Sequence, residues 1–573
     1  GCACEGKMIK RPSFVGGLFM VLWGVYTLIA KDFSQSIAFF LNKYLILQPT
    51  TKYEDKNKET MEQEQAMHHY TVKRWIGMLC LGSLCTLMSA QVSNSVAILP
   101  TDTPEKIVEK AANVRPSDRQ FRWQRQELTA FLHFGMNTFT GKEWGDGKTS
   151  AVTFNPSGLD ADQWIKELKA AGFKSAILTC KHHDGFCLWP SAYTDYSVKQ
   201  SPWENGQGDV VKAVSDACKK YGMGFGVYLS PWDRNSALYG TDAYNDYFVN
   251  QLTELLTHYG AVNEVWFDGA CGEGPNGKKQ TYDFVRWYRL IRKLQPEAVI
   301  AVMGPDVRWV GTETGRGRDT EWSVVPMNNL DQTAIMANSQ QEQLHQPAGD
   351  MRGEDLGSRH VIMDAKALVW YPAETDVSIR PGWFYHPDQD NKVKTPKELM
   401  DIYFTSVGKN GVLLLNVPPN KAGRFAEADV KSLRGFAQLQ QQIFGHNLLK
   451  GATVTCKTIA GKGSAVVDNN YDTSCEPKAI QGKATFIFTT PQPISFNVLS
   501  VQEDIRKGQR VEKFSLSYLD VQGKWQKIAT GTTVGHKRLL SFPEVKAKKI
   551  KLTIDESRGI PAIAEIGLYR QSP

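Results

Sequence analysis

The sequence has no long basic run, no nucleic-acid-binding motif and no glycine-rich dinucleotide fingerprint behind its first strand-like segment. Its net charge of +7 over 573 residues is modest. Nucleic acid is therefore not expected as a partner, and a nucleotide-binding sheet is disfavoured. There is no HExxH, and no His-x-His closes the first strand, so a catalytic metal is not expected. Cysteine is sparse. Four of the ten (Cys2, Cys4, Cys80, Cys85) fall in the N-terminal region, and Cys180, Cys187, Cys218, Cys271, Cys456 and Cys475 form no disulfide framework. A Cys456–Cys475 bridge is compatible with an exported protein.

What is present is an ordinary globular composition with a high aromatic share, 11%, including 15 tryptophans. Aromatic faces suit the C–H faces of pyranose rings, although large cores use tryptophan as well. The N-terminus reads differently. Residues 14–30 are an apolar run near the lower limit for a membrane span. Residues 67–90 have a signal-peptide layout: a start-like Met67, basic Lys73 and Arg74, an apolar stretch from Trp75 to Met88, then Ser89 and Ala90. Residues 1–66 read as upstream sequence foreign to the mature protein, or as a membrane-anchor-like segment. The expectation is a mature protein beginning near residue 91, exported to the periplasm or the exterior, without stable membrane insertion.

From residue 91 to 446 strand-like and helix-like segments alternate. ELTAFLHFG, KSAILTCKHHDGF, GFGVYLSPW, VNEVWFDGA, EAVIAVMGP and GVLLLNVPP read as strands. Amphipathic stretches such as LDADQWIKELKAAGF, VVKAVSDACKKYGM and TYDFVRWYRLIRKLQP separate them. This rhythm implies a parallel sheet, and its length favours a (β/α)8-type barrel over a doubly wound sheet. His133, His182, His183, Asp184, Tyr228, Asp233 and Asp268 stand at or just after strand C-terminal ends, the face on which barrels carry their chemistry. The adjacent histidines were expected on opposite strand faces. Asp268-Gly269 by itself is also an ordinary way to leave a strand.

FLHFG, TCKHHDGF, VYLSPW and VWFDGA, in this order on successive strands, resemble the α-L-fucosidases of glycoside hydrolase family 29. The resemblance implies Asp268 as nucleophile. It implies fucose contacts from His133, His182, His183 and Tyr228, and an apolar wall from Trp266, joined by Phe131. A retaining mechanism needs a second carboxylate about 5–5.5 Å away. Glu313, Glu321, Glu354 and Glu374 are the downstream candidates. DVRWVGTETGRG resembles the acid/base segment of the subfamily that prefers α-1,3 and α-1,4 branches, which assigns Glu313, with Thr312 where that subfamily has Asn. Glu321 is the second choice, with a surface loop charge as its plain alternative. Trp383 is read as a further wall or as core, and Glu143 and Trp144 as sugar contacts by position.

The implied activity is exo-acting, retaining removal of terminal fucose from glycans, without a catalytic cofactor. The alternatives are a metal-dependent barrel hydrolase and an inactive glycan-binding protein. Residues 447–573 break into short alternating runs, an antiparallel β-sandwich. VVDNNYDTSCEP resembles discoidin or coagulation-factor type C-like modules, which often carry glycan-binding roles and a structural Ca²⁺. Asp468, Asp472 and Glu565 are the candidate ligands, or else plain turn carboxylates.

Overall fold

The computed structural model describes residues 94–327, 355–479 and 483–571. The upstream segment 1–66, the signal peptide 67–90 and Glu354 lie outside the described residues. Among the described residues no helix is long and apolar enough to cross a membrane.

Eight parallel strands form a barrel: β1 (Leu128–Leu132), β2 (Ser175–Lys181), β3 (Gly224–Leu229), β4 (Glu264–Phe267), β5 (Val299–Val302), β6 (Arg308–Trp309), β7 (Ala373–Ser378) and β8 (Val412–Asn416). Hydrogen bonding runs β5-β4-β3-β2-β1-β8-β7-β6, and a parallel bridge between Ala301 and Val307 closes the ring. The predicted helices cover the outside: α1 (Ala161–Ala170), α2 (Val210–Tyr221), α3 (Asp242–His258), α4 (Phe284–Leu294), α5 (Pro396–Thr405) and α6 (Glu427–Phe444). Their starts follow the side-chain chemistry. Asp160, Asp209 and Asp283 each accept a backbone N–H from the first turn of α1, α2 and α4, and Thr395 forms a capping box with Glu398 on α5.

Period-2 alternation sorts the strand residues into two cores. Ala130, Leu132, Ala176, Leu178, Val227, Val265, Phe267, Leu413 and Leu415 pack outward with the helices. Phe131, Ile177, Tyr228, Trp266, Val299, Ala301, Val412 and Leu414 fill the interior, with Trp123 of the short helix Asp118–Gln124 joining them. The same alternation turns Glu264, Glu374, Asp376 and Asn416 inward.

One step departs from the expected alternation. No helix separates β5 from β6. Residues 303–307 join two parallel neighbours directly, where a crossover of a dozen residues is usual. The carboxylate of Asp306 closes this loop: it accepts the backbone N–H of Ile300 (2.8 Å) and pairs with Arg292 and with Arg119. A Cβ on Gly304 would lie 2.4 Å from the Ile300 carbonyl oxygen, so the turn requires glycine.

After α6 the chain forms an antiparallel sheet. Its strands are β9 (Thr453–Thr455), β10 (Ala484–Glu503), β11 (Val511–Leu519), β12 (Trp525–Gly531), β13 (Arg538–Ser557) and β14 (Ile563–Tyr569). The sequence suggested only short runs here. ATFIFTT and FNVLSVQED are instead two halves of one 20-residue strand, β10, with shifts of register around Pro491 and Pro493 and again near Asn497. Prolines donate no ladder hydrogen bond, which makes that midpoint look like a break in the sequence. Cys456 and Cys475 are free thiols, so the bridge considered from the sequence is not formed.

The sheet packs on the barrel through matched polar groups. The backbone N–H of Glu321 reaches Thr533 Oγ1 (3.1 Å), that of Ser323 reaches Gln509 Oε1 (2.7 Å), and that of His536 reaches Asn410 Oδ1 (2.7 Å). Glu127 is held far below the usual carboxylate range: burial opposes ionisation, but Lys537 and His536 outweigh it.

Candidate active site

The C-terminal ends of β1, β2, β3, β4, β7 and β8 deliver one cluster. Asp268 follows β4, and its side chain is 26% exposed. Its Oδ1 accepts the backbone N–H of Ala270 (2.7 Å), and its Oδ2 accepts the Tyr228 hydroxyl (3.1 Å). His183 Nε2 lies 3.8 Å from the same Oδ2. Both carboxylate oxygens are thus oriented while the group still reaches the cleft.

His133 and His183 are each held through Nδ1, the first by Asn416 Oδ1 (2.9 Å) and the second by Ser230 Oγ (2.8 Å). His182 Nδ1 stands 3.5 Å from Asn137 Nδ2. The two adjacent rings do not diverge as strand neighbours would, for their centroids are 4.1 Å apart. The strand ends at Lys181, with an irregular register against β3 between Thr179 and Lys181, so both histidines escape the alternation and enter one site. Burial depresses all three imidazoles: His133 to about 3, His182 well below its ordinary value, and His183 below it despite the nearby Asp268 charge.

Aromatic rings build the wall. Trp266 stacks on Tyr228 with centroids 5.3 Å apart and meets Phe131 edge-on at 5.0 Å. Trp383 stands 5.1 Å from His133 and 6.4 Å from Phe131. Trp144, 53% exposed, sets its ring 5.4 Å from His183 and 5.5 Å from Trp232. Glu143 anchors the neighbouring loop. Its Oε2 accepts the backbone N–H groups of Trp383 (2.8 Å) and Phe384 (3.4 Å), and its Oε1 pairs with His386 Nε2 (2.7 Å).

Glu313 lies in the loop after β6, solvent-exposed but crowded by the cleft. Its Oε2 accepts the Trp383 indole N–H (3.2 Å). Its carboxyl is raised above the ordinary value, first by partial desolvation and then by the charges of Asp268 and Glu143, with the Trp383 hydrogen bond opposing. The loop is tied down by the Gly315 N–H to the Asp376 carbonyl (3.1 Å) and by the Trp309 indole to Asp376 Oδ1 (2.8 Å). Of the other carboxylates considered, Glu321 is fully buried between Arg308 and Arg318 and is not a surface charge.

Glu374 lies beneath the site. Its Oε2 accepts the Trp266 indole N–H (2.7 Å), and across the barrel interior Glu264 Oε2 accepts that of Trp123 (2.9 Å). The Oε1 of each buried carboxyl has no hydrogen-bond partner among the described residues, and Glu374 feels the charge of Glu264. Burial raises both, Glu264 to about 7 and Glu374 well above its ordinary value, because two neighbouring carboxyls in a dry interior cannot both ionise. The sequence named Glu374 as a candidate acid/base but missed its pairing with Glu264, and it missed Asp376, Ser230 and Asn416. The inward alternation of AETDVS on β7 was the available signal.

In the C-terminal sheet region the three proposed calcium donors are not gathered into one set. Asp472 faces Arg125 (3.0 Å) and Arg506 (3.5 Å). Asp468 bonds the Asn470 N–H (2.9 Å) and the Thr473 hydroxyl (2.8 Å). Glu565, raised to about 8 by burial and by Asp468, accepts the Asn469 N–H (3.2 Å). Among the described residues no three or more His, Cys, Asp or Glu side chains are grouped to hold a metal ion.

Comparison with known proteins gives the family. Residues 107–442 match the family model for α-L-fucosidases. The chain is 43% identical to α-L-fucosidase 1 of Arabidopsis thaliana over 494 residues, covering 84% of this chain and 92% of that one. A Bacteroides ovatus structure described as a candidate α-L-fucosidase is 50% identical with a TM-score of 0.74, over 84% of this chain and 78% of that one. A Ruminococcus gnavus fucosidase of glycoside hydrolase family 29, solved with fucose, is 32% identical with a TM-score of 0.70, over 84% and 99% of the two chains.

Proposed function

The chain belongs to the α-L-fucosidase family of glycoside hydrolases, and from that premise we propose a retaining, exo-acting mechanism in which Asp268 is the nucleophile and Glu313 the acid/base. The observation that carries the assignment is the contrast between the two carboxyls. Asp268 is oriented by Tyr228 and the Ala270 N–H, and Glu313 is pushed toward its protonated form partly by the Asp268 charge. One group is arranged to attack and its neighbour to donate a proton.

In the first step an Asp268 oxygen bonds to the anomeric carbon as the glycosidic C–O bond breaks, and the Glu313 proton passes to the leaving oxygen. In the second step Glu313, now ionised, takes a proton from water, whose oxygen displaces Asp268 from the same carbon. Two inversions retain the configuration. The sugar is held by His133, His182, His183 and Tyr228, against Trp266, Phe131 and Trp383, with Glu143 and Trp144 at the rim. The R-W-V-G-x-E form around Glu313 supports α-1,3- or α-1,4-linked branches of Lewis type as the substrate.

The test is release of fucose from 4-nitrophenyl α-L-fucoside, from Lewis-type trisaccharides and from 2′-fucosylated oligosaccharides. Asp268→Ala is expected to abolish all turnover. Glu313→Ala is expected to lose natural substrates but keep the aryl fucoside, with azide restoring rate. Unchanged turnover of natural substrates by Glu313→Ala would remove that residue from the role.

A further inference from the structure

The hydrogen-bond partners of the three histidines determine which ring nitrogen carries the proton. Ser230 Oγ lies 2.6 Å from the carbonyl oxygen of Trp232, which can only accept, so the serine proton is committed there. Ser230 Oγ therefore accepts from His183, whose proton must sit on Nδ1. Asn416 gives the same logic. Its Nδ2 lies 2.8 Å from the Trp383 carbonyl and 2.9 Å from Ser378 Oγ, which identifies the amino side. Its Oδ1 then accepts both the His133 backbone N–H (3.3 Å) and the ring at 2.9 Å, so His133 also carries its proton on Nδ1. His182 is opposite. Asn137 Nδ2 donates to the Glu143 carbonyl (3.0 Å) and faces His182 Nδ1 at 3.5 Å with its second hydrogen. That nitrogen is an acceptor, and the His182 proton sits on Nε2.

We propose that Ser230, Asn416 and Asn137 are positioning residues that fix an acceptor–donor–acceptor array facing the sugar: His133 and His183 present Nε2 lone pairs, and His182 presents Nε2–H. This rests on the reading of the cleft as the fucose site and adds which hydroxyls must donate there and which must accept. A sugar with adjacent hydroxyls satisfies an alternating array, because each O–H both donates and accepts. The 3.8 Å gap between His183 Nε2 and Asp268 Oδ2 follows from it. Two lone pairs face each other there, too far apart for a direct hydrogen bond, and a donating hydroxyl is the group that relieves them. Burial keeps all three rings uncharged at neutral pH, so the tautomers are maintained through the working range.

The test uses the full-length protein with 15N-labelled histidine, without sugar, in long-range 15N–1H correlation spectra assigned by His133→Gln, His182→Gln and His183→Gln. His133 and His183 are expected as Nδ1–H tautomers and His182 as Nε2–H. Ser230→Ala should release His183 to the Nε2–H form and raise KM for 4-nitrophenyl α-L-fucoside about tenfold with a smaller change in kcat, the effect of one lost hydrogen bond. Ser230→Thr should restore both. A wild-type His183 protonated on Nε2, or a Ser230→Ala protein with unchanged tautomer or unchanged KM, would overturn the proposal. The spectra need no substrate, so they are decided separately from the fucosidase reading, which turnover decides.

Discussion

Tyr228 donates its hydroxyl hydrogen to Asp268 Oδ2 across 3.1 Å, while its ring lies stacked under Trp266. A single residue therefore orients the carboxylate proposed to attack and supports the wall of the pocket. Tyr228 and Trp266 are register partners on β3 and β4, so the sheet itself sets their spacing.

Tyr228→Phe keeps the stacking and removes the hydrogen bond. A bond to a charged group contributes about 1.5–3 kcal/mol, so kcat/KM should fall about 10- to 100-fold. Thermal melting should move little. A variant that melts much earlier would show that the hydroxyl serves folding instead.

As the proposed acid, Glu313 must be protonated when the glycosidic bond breaks. Activity on natural substrates should be high below its raised pKa and fall as pH rises through it. The Trp383 indole stabilises the ionised form, so Trp383→Phe should move this basic limb to higher pH. A limb moving to lower pH would contradict the assignment.

Glu264 and Glu374 have raised pKa values in the folded protein, so their contribution to stability is full below the ordinary glutamate range and is lost as pH rises through about 7. Glu374→Gln keeps an oxygen for Trp266 and carries no charge beside Glu264. It should flatten the melting temperature between pH 5 and 8 and leave turnover near wild type. Glu374→Ala leaves the Trp266 indole N–H unpaired above a cavity and should cost about 2–4 kcal/mol in denaturant unfolding.

Glu143 holds three groups of the loop that carries Trp383. Glu143→Ala should lower kcat/KM about tenfold or more and shift the Glu313 limb, because it frees Trp383 and removes a neighbouring charge. Near-wild-type kinetics with an unchanged pH profile would show that the loop holds itself.

The sequence alone determined the barrel, because alternating strand and helix periodicities are local properties of the chain. It also determined that chemistry gathers at strand C-termini, because His133, Tyr228 and Asp268 continue the inward alternation of their strands. It was misleading at two places where local pattern and path diverge. HHD is not strand, since the chain leaves β2 at Lys181 and both histidines turn into one site. After EAVIAVMGP the strand–helix alternation breaks, since Asp306 closes a direct parallel turn.

Only the tertiary structure decided what each polar group does. Glu321, the second choice for the acid, and Glu374, a further candidate, are both excluded: one is locked between arginines and the other is buried under Trp266. Whether a carboxyl keeps its charge depends on the water and the charges around it. Those neighbours come from strands far apart in sequence, and no local pattern carries that information.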